Sequence, residues 1–83
     1  MQVNIKLFGV LRQYLPAGSG FNSCQLTTTE HPLLNEVLAM LPIPDDKAYL
    51  VILNDEKINR QEYALTQIKE NDEVVLLPPI KGG

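Results

Sequence analysis

Glu73-Val74-Val75-Leu76-Leu77, running on into Pro78-Pro79-Ile80-Lys81-Gly82-Gly83, is the stretch on which the fold turns. Its aliphatic and β-branched side chains suit a pleated, half-buried strand. Strand alternation sends Val74 and Leu76 to one face, and Val75 and Leu77 to the other. Asn71-Asp72 ahead of it marks a turn, since asparagine tolerates the left-handed conformation. Pro78-Pro79 behind it favours an extended, semi-rigid exit.

A partner for this strand stands at the other end of the sequence. Val3, Ile5 and Leu7 alternate with Asn4 and Lys6, the period of a half-buried strand. Phe8 then points to the face opposite Leu7. Leu11, Tyr14 and Leu15 allow a single helical turn at most, and Pro16, Gly18 and Gly20 break the chain. A second extended segment is expected from Phe21 to Thr28.

Pro32 suits the first position of a helix, where its missing N–H costs nothing. Leu34, Val37, Leu38 and Leu41 then fall at i, i+3, i+4 and i+7, one apolar stripe. Pro42 ends the helix near Leu41. Tyr49 to Leu53 is a continuous apolar run, short enough to be a buried strand. Asn54-Asp55 turns the chain into a short return strand at Lys57-Ile58. From Asn59 to Gln67 the pattern is irregular, with Tyr63, Leu65 and Ile68 as anchors.

The order is strand, strand, helix, strand, short strand, strand. The helix between the first and last strands lets them lie side by side in parallel. The fold class that follows is α+β: a β-grasp, with a mixed sheet of four to five strands covered by one main helix. The expected division is a β-grasp domain over 1–77 and a flexible diglycine tail over 78–83.

Composition narrows what such a domain does. Its 83 residues make one domain with one small core. The formal net charge is −3 and the seven Lys and Arg are scattered, which argues against nucleic-acid binding. No apolar stretch is long enough to span a bilayer. Cys24 is the single cysteine, so the fold needs no disulfide and no oxidising compartment, which suits the cytoplasm.

The closing Gly82-Gly83 points to chemistry. Without a Cβ, glycine fits where other residues clash. Six residues from Pro78 to Gly83 reach roughly 20 Å when fully extended. Such a tail would thread a narrow channel and present its carboxylate to another protein's active site.

Two segments make the family resemblance specific. Ile5-Lys6-Leu7-Phe8-Gly9-Val10-Leu11-Arg12 resembles the first strand and the aromatic-small-x-Leu-Arg segment of the ubiquitin-like sulfur carriers. Asn71 to Gly83 resembles their turn-strand-Pro-Pro-x-x-Gly-Gly ending. That family includes the molybdopterin synthase small subunit and the thiamine-pathway sulfur carrier. The resemblance implies that Gly83 is adenylated by an E1-like partner enzyme using ATP and then converted to a thiocarboxylate, with Gly82 giving clearance. It implies no catalytic residue, bound cofactor or metal in this chain. It also implies that Phe8, Val75 and Leu77 form a partner-facing patch beside the tail residues Pro78, Pro79, Ile80 and Lys81. Pro78-Pro79 favours the molybdopterin branch, whose acceptor partner is the synthase large subunit. Carriers for thiamine, cysteine or tRNA thiolation, and a ubiquitin-like protein modifier, are the alternatives. The sequence departs from the family at Asn71, where glycine is common, at Asn54-Asp55, where Asn-Gly is common, and at Lys81, where a small residue is usual.

The remaining reactive side chains have plainer readings. Cys24 has no neighbour in sequence that would lower its pKa. His31 lacks further ligands at metal-binding spacing. Asp45-Asp46, Glu70, Asp72 and Glu73 read as turn and surface charges. No glycine-rich phosphate loop is present, which places ATP on the partner.

Overall fold

A computed structural model describes residues 1–79. Ile80, Lys81, Gly82 and Gly83, of which the sequence raises expectations, lie outside the described residues. Five strands form one sheet: β1 Gln2–Leu7, β2 Ser23–Thr27, β3 Leu50–Leu53, β4 Glu56–Ile58 and β5 Glu73–Leu77. The spatial order is β2-β1-β5-β3-β4. β1 and β5 run parallel at the centre, with Ile5 opposite Val74 and Leu7 opposite Leu76. The other three pairings are antiparallel. The helix α1, Leu34–Ala39, supplies the crossover that a parallel central pair requires. The β-grasp expectation is met.

One face of the sheet makes the core. Val3, Ile5, Leu7, Val51, Val74 and Leu76 are fully buried there, against Leu34 and Val37 of α1 and against Ile68. Leu41 stays buried one residue past the helix cap at Met40, so the apolar stripe outlasts the regular helix. No helix of the described residues is long and apolar enough to cross a membrane.

Several local expectations are corrected. Pro32 does not open the helix; Leu33 is the cap and Pro32 precedes it. The cause is tertiary. Pro32 O accepts from Ile68 N–H at 2.8 Å, Leu34 N–H donates to Thr66 O at 2.8 Å, and Leu33 bridges Gln67. That pairing holds residues 32–34 extended, and the Glu36 carboxylate then accepts the Leu33 N–H at 2.8 Å. The expected single turn near Leu11 is a six-residue 3-10 helix, Gly9–Tyr14, with Leu11 buried beneath it. β2 begins at Ser23, two residues after Phe21.

The irregular 59–67 segment contains a second 3-10 helix, Arg60–Leu65. Three residues per turn put Tyr63 toward the core and rotate Leu65 away, so Leu65 is 81% exposed and anchors nothing. Between β3 and β4, Asn54 and Asp55 have φ of 48° and 70°, the two positive angles of a type I′ hairpin. Asn71, at φ 70°, makes the expected left-handed turn.

Replacing Leu76 by alanine should cost about 3 kcal/mol, because it empties a site closed on all sides. Leu65→Ala should stay within about 0.5 kcal/mol of the parent. Urea unfolding of the two variants tests the assignment of core and surface.

Candidate functional site

The face of the sheet away from α1 has no covering layer among the described residues, and its chemistry is graded along the strands. At one end Leu77 lies opposite Leu50, and one step along Val75 lies between Lys6 and Ile52. Phe8 continues β1 by one residue: its backbone is extended and its N–H donates to Leu76 O at 3.1 Å. The parallel register therefore brings Phe8 beside Leu77. Phe8, Leu50, Ile52, Val75 and Leu77 are all half-buried, an apolar patch over the central strands.

The opposite end is polar and tied down. Gln25 Nε2 donates to Asn4 Oδ1 at 2.9 Å, and Lys6 Nζ lies 3.3 Å from Glu73 Oε2. Asn54 accepts from Glu73 N–H and donates to Asp72 Oδ1, both at 2.9 Å. These exposed contacts fix turn positions more than they add stability. The apolar end is the end from which β5 runs on into Pro78.

The exit of β5 is seated on the start of the first 3-10 helix. Gly9 has φ +59°, and a Cβ built there would lie 2.7 Å from Pro78 Cγ. Glycine is required twice over: for the left-handed angle and for the closeness of the proline ring. Pro78 is half-buried and Pro79 exposed. The sequence resemblance between the Phe8-Gly9 segment and the Pro-Pro ending thus corresponds to one physical contact.

The structure places Phe8, Val75 and Leu77 on one face, as strand alternation predicts, and adds Leu50 and Ile52 to the same face. The missing signal was the continuous run Tyr49–Leu53, read as a strand buried on both faces. Only Val51 of β3 is fully buried; Leu53 packs against the core, while Leu50 and Ile52 face outward. An unbroken apolar run also describes a strand with one face in a core and the other in a docking patch.

The remaining candidates are not assembled into a reactive site. Among the described residues no three His, Cys, Asp or Glu side chains converge as metal ligands. His31 is exposed, at φ 56°. Cys24 lies on β2 opposite Ile5, half-buried; burial pushes its thiol up, against a smaller lowering by its hydrogen bond with Ser19. A thiol so placed is a poor nucleophile at neutral pH.

The ThiS family profile matches residues 5–83, nearly the whole chain. The chain belongs to the ThiS family. Its members are ubiquitin-like sulfur carriers, proteins that carry sulfur and do not themselves catalyse its transfer. Among curated proteins, none matches.

Solved structures agree on the fold. Small archaeal modifier protein 1 from Methanosarcina acetivorans superposes with a TM-score of 0.68 at 25% identity, covering 99% of this chain and 96% of its own. A complex of subunits 1 and 2 of molybdopterin-converting factor from Helicobacter pylori contains a chain with a TM-score of 0.66 at 24% identity, both chains covered in full. The thiamine biosynthesis protein ThiS from Geobacter metallireducens gives 0.64 at 21% identity, over 96% of this chain and 99% of that one. The ThiS-family frame here is therefore the β-grasp, with the strand that leads to the diglycine at its centre.

Gly9→Ala should destabilise the domain by about 1–2 kcal/mol, from the left-handed angle and the proline contact together. In a Pro78→Ala background the same change should cost less by at least about 0.5 kcal/mol, since contacting residues couple. A double-mutant cycle by chemical denaturation measures both. Burial also pushes the pKa of Tyr49 and of Tyr63 up, as it does that of Cys24. Each group holds its proton more tightly folded than unfolded, so its stabilising share is whole at neutral pH. That share shrinks as pH rises past the unfolded values, about 8.5 for cysteine and 10 for tyrosine. Stability followed from pH 7 to pH 11 should fall, and a flat or rising profile would contradict the burial of these groups.

Proposed function

We propose that this protein is a sulfur carrier whose Gly83 carboxylate is activated as an adenylate by an E1-like partner and exchanged for a thiocarboxylate. We further propose that it most directly serves molybdopterin synthesis. The observation that carries the reading is the geometry of one sheet end: a five-residue apolar patch runs up to Pro78, and the chain beyond ends in Gly82-Gly83. A partner that seats on Phe8, Leu50, Ile52, Val75 and Leu77 has the root of the tail at the rim of its contact.

The division of labour follows from the chemistry. A carboxylate resists nucleophiles because its charge is delocalised. Attack of its oxygen on the α-phosphate of ATP expels pyrophosphate and leaves a mixed anhydride with AMP. The terminal sulfur of a partner persulfide then displaces AMP at the acyl carbon to give an acyl disulfide. A second partner thiol attacks the persulfide's inner sulfur, breaking the S–S bond, releasing the thiocarboxylate and leaving a disulfide on the partner. ATP and the persulfide belong to the partner. This chain contributes a docking face, a fixed tail root and a terminus without side chains. The patch should supply most of the affinity, since apolar area removed from water is worth about 25 cal/mol per Å2.

Support for the molybdopterin branch comes from Pro78-Pro79 and from the likeness to a chain in the two-subunit molybdopterin-converting factor complex. In that branch the large synthase subunit would receive the sulfur for a pterin precursor. The likeness to small archaeal modifier protein 1 favours a second reading, in which Gly83 is joined to lysines of other proteins.

Intact mass after incubation with the adenylating enzyme, ATP and a sulfur source separates the readings. A gain equal to one oxygen replaced by one sulfur marks a carrier, and isopeptide-linked adducts mark a modifier. Deleting Gly83 should abolish loading while leaving the unfolding transition unchanged, and Gly82→Val should obstruct loading. Loading that survives removal of Gly83 in a purified system overturns the mechanism. Leu77→Asp should weaken partner binding at least about tenfold, by placing an unpaired charge in an apolar contact.

A further inference from the structure

A second concave surface lies off the open face, between the end of α1, the loop Pro42–Tyr49, the β4 edge and the second 3-10 helix. It is a groove of about 740 Å3. Leu38, Leu41 and Ile43 line its floor, and Tyr49 and Tyr63 stand in its wall. Lys47, Lys57 and Arg60 are among its lining residues, with Asp45 as the one carboxylate there.

That grouping runs against the rest of the molecule. The chain carries seven basic residues against ten acidic ones, and three of the seven gather here. They come from separate segments, the loop, β4 and the 3-10 helix, so sequence spacing scatters what the fold collects. Lys6, by contrast, is paired with Glu73; among the described residues none of the three groove cations is in an ion pair. Both tyrosine hydroxyls are protonated at neutral pH, as tyrosines ordinarily are, and burial only pushes their pKa further up, so each can donate a hydrogen bond.

We propose that this groove is a binding site for an acidic, apolar-anchored segment of a protein partner. Charge complementarity sets the acidic character: three cations against one carboxylate, on a protein whose formal net charge is −3, form a local well for negative groups. The apolar anchor is set by the half-buried Ile43, Tyr49 and Tyr63, which lie over the buried Leu38 and Leu41. Continuity sets the partner's size. Leu50, opposite Leu77 in the open-face patch, is also among the residues lining the groove, so the two surfaces adjoin along β3. A protein seated on the open face can reach round the β4 edge into the groove, which a small anion has no means of exploiting. The site makes no use of the diglycine or of sulfur.

The test uses the full-length, isotope-labelled protein and a synthetic hexapeptide probe, acetyl-Asp-Glu-Leu-Glu-Phe-Asp-amide, followed by backbone amide shifts. Saturable shifts are expected at Leu41, Lys47, Tyr49, Asn59, Arg60 and Tyr63, with the β2 side of the sheet unmoved. Affinity should fall at least about tenfold in the triple variant Lys47→Gln, Lys57→Gln, Arg60→Gln. It should fall similarly when the probe's acids are replaced by their amides or its Leu and Phe by serine. Retained amide dispersion verifies that the variant is folded; if it is not, Lys57→Gln with Arg60→Gln takes its place. The proposal is overturned by any of four results: no shifts at the groove, equal binding of the amide or serine probe, tighter binding of an eight-residue oligothymidine, or the same shifts on concentrating the protein alone. The last two would assign the groove to nucleic acid or to a second copy. Because the probe needs no adenylating enzyme, a failure here leaves the sulfur-carrier reading standing, and the reverse holds too.

Discussion

The parallel pairing of β1 with β5 is the constraint on which everything else depends. These strands lie at opposite ends of the sequence, and closing so long a loop is costly in entropy. The pairing is repaid by fully buried side chains on both strands, Val3, Ile5 and Leu7 against Val74 and Leu76. It also requires a crossover, and α1 provides one while covering the face those residues share. The same register sets the functional end. With Leu7 opposite Leu76, Phe8 falls beside Leu77 and Gly9 beneath Pro78. The patch and the tail root are therefore consequences of the core, built by the next residues along the same two strands.

The open face shows how a small domain divides its apolar residues between a closed core and a bare surface. Five apolar side chains stay half-buried in the middle of the sheet, outside the core that α1 closes. Towards the other end the same face turns to Asn4, Lys6, Gln25 and Glu73, joined to one another by exposed hydrogen bonds and an ion pair. The gradient gives the face a direction, and the direction points at the exit of β5.

Much of this was legible in sequence because it is written in periods and turn residues. Glu73–Leu77 was read with its exact bounds, and the stripe Leu34, Val37, Leu38 and Leu41 is the buried face of α1. Asn54, Asp55 and Asn71 take the positive angles their chemistry allows. What was misread depends on distant partners. Pro32 is held ahead of the helix by backbone bonds to Thr66 and Ile68, which no local rule foresees. Leu65 looked like an anchor because it is apolar, yet a three-residue turn rotates it outward. Leu50 and Ile52 were taken for interior because an unbroken run does not say which face is left bare. The basic groove was invisible for the same reason: Lys47, Lys57 and Arg60 share a surface only after three segments have packed.

The central position of β5 also has a mechanical meaning. A strand at the sheet edge can be peeled away one hydrogen bond at a time when its end is pulled. β5 is flanked on both sides, by β1 and by β3, along nearly its whole length. Force applied along the strand from its exit loads both ladders in shear, so many bonds share it at once. Whatever load enters from the exit of β5 meets a tether fixed in the middle of the fabric rather than at its hem.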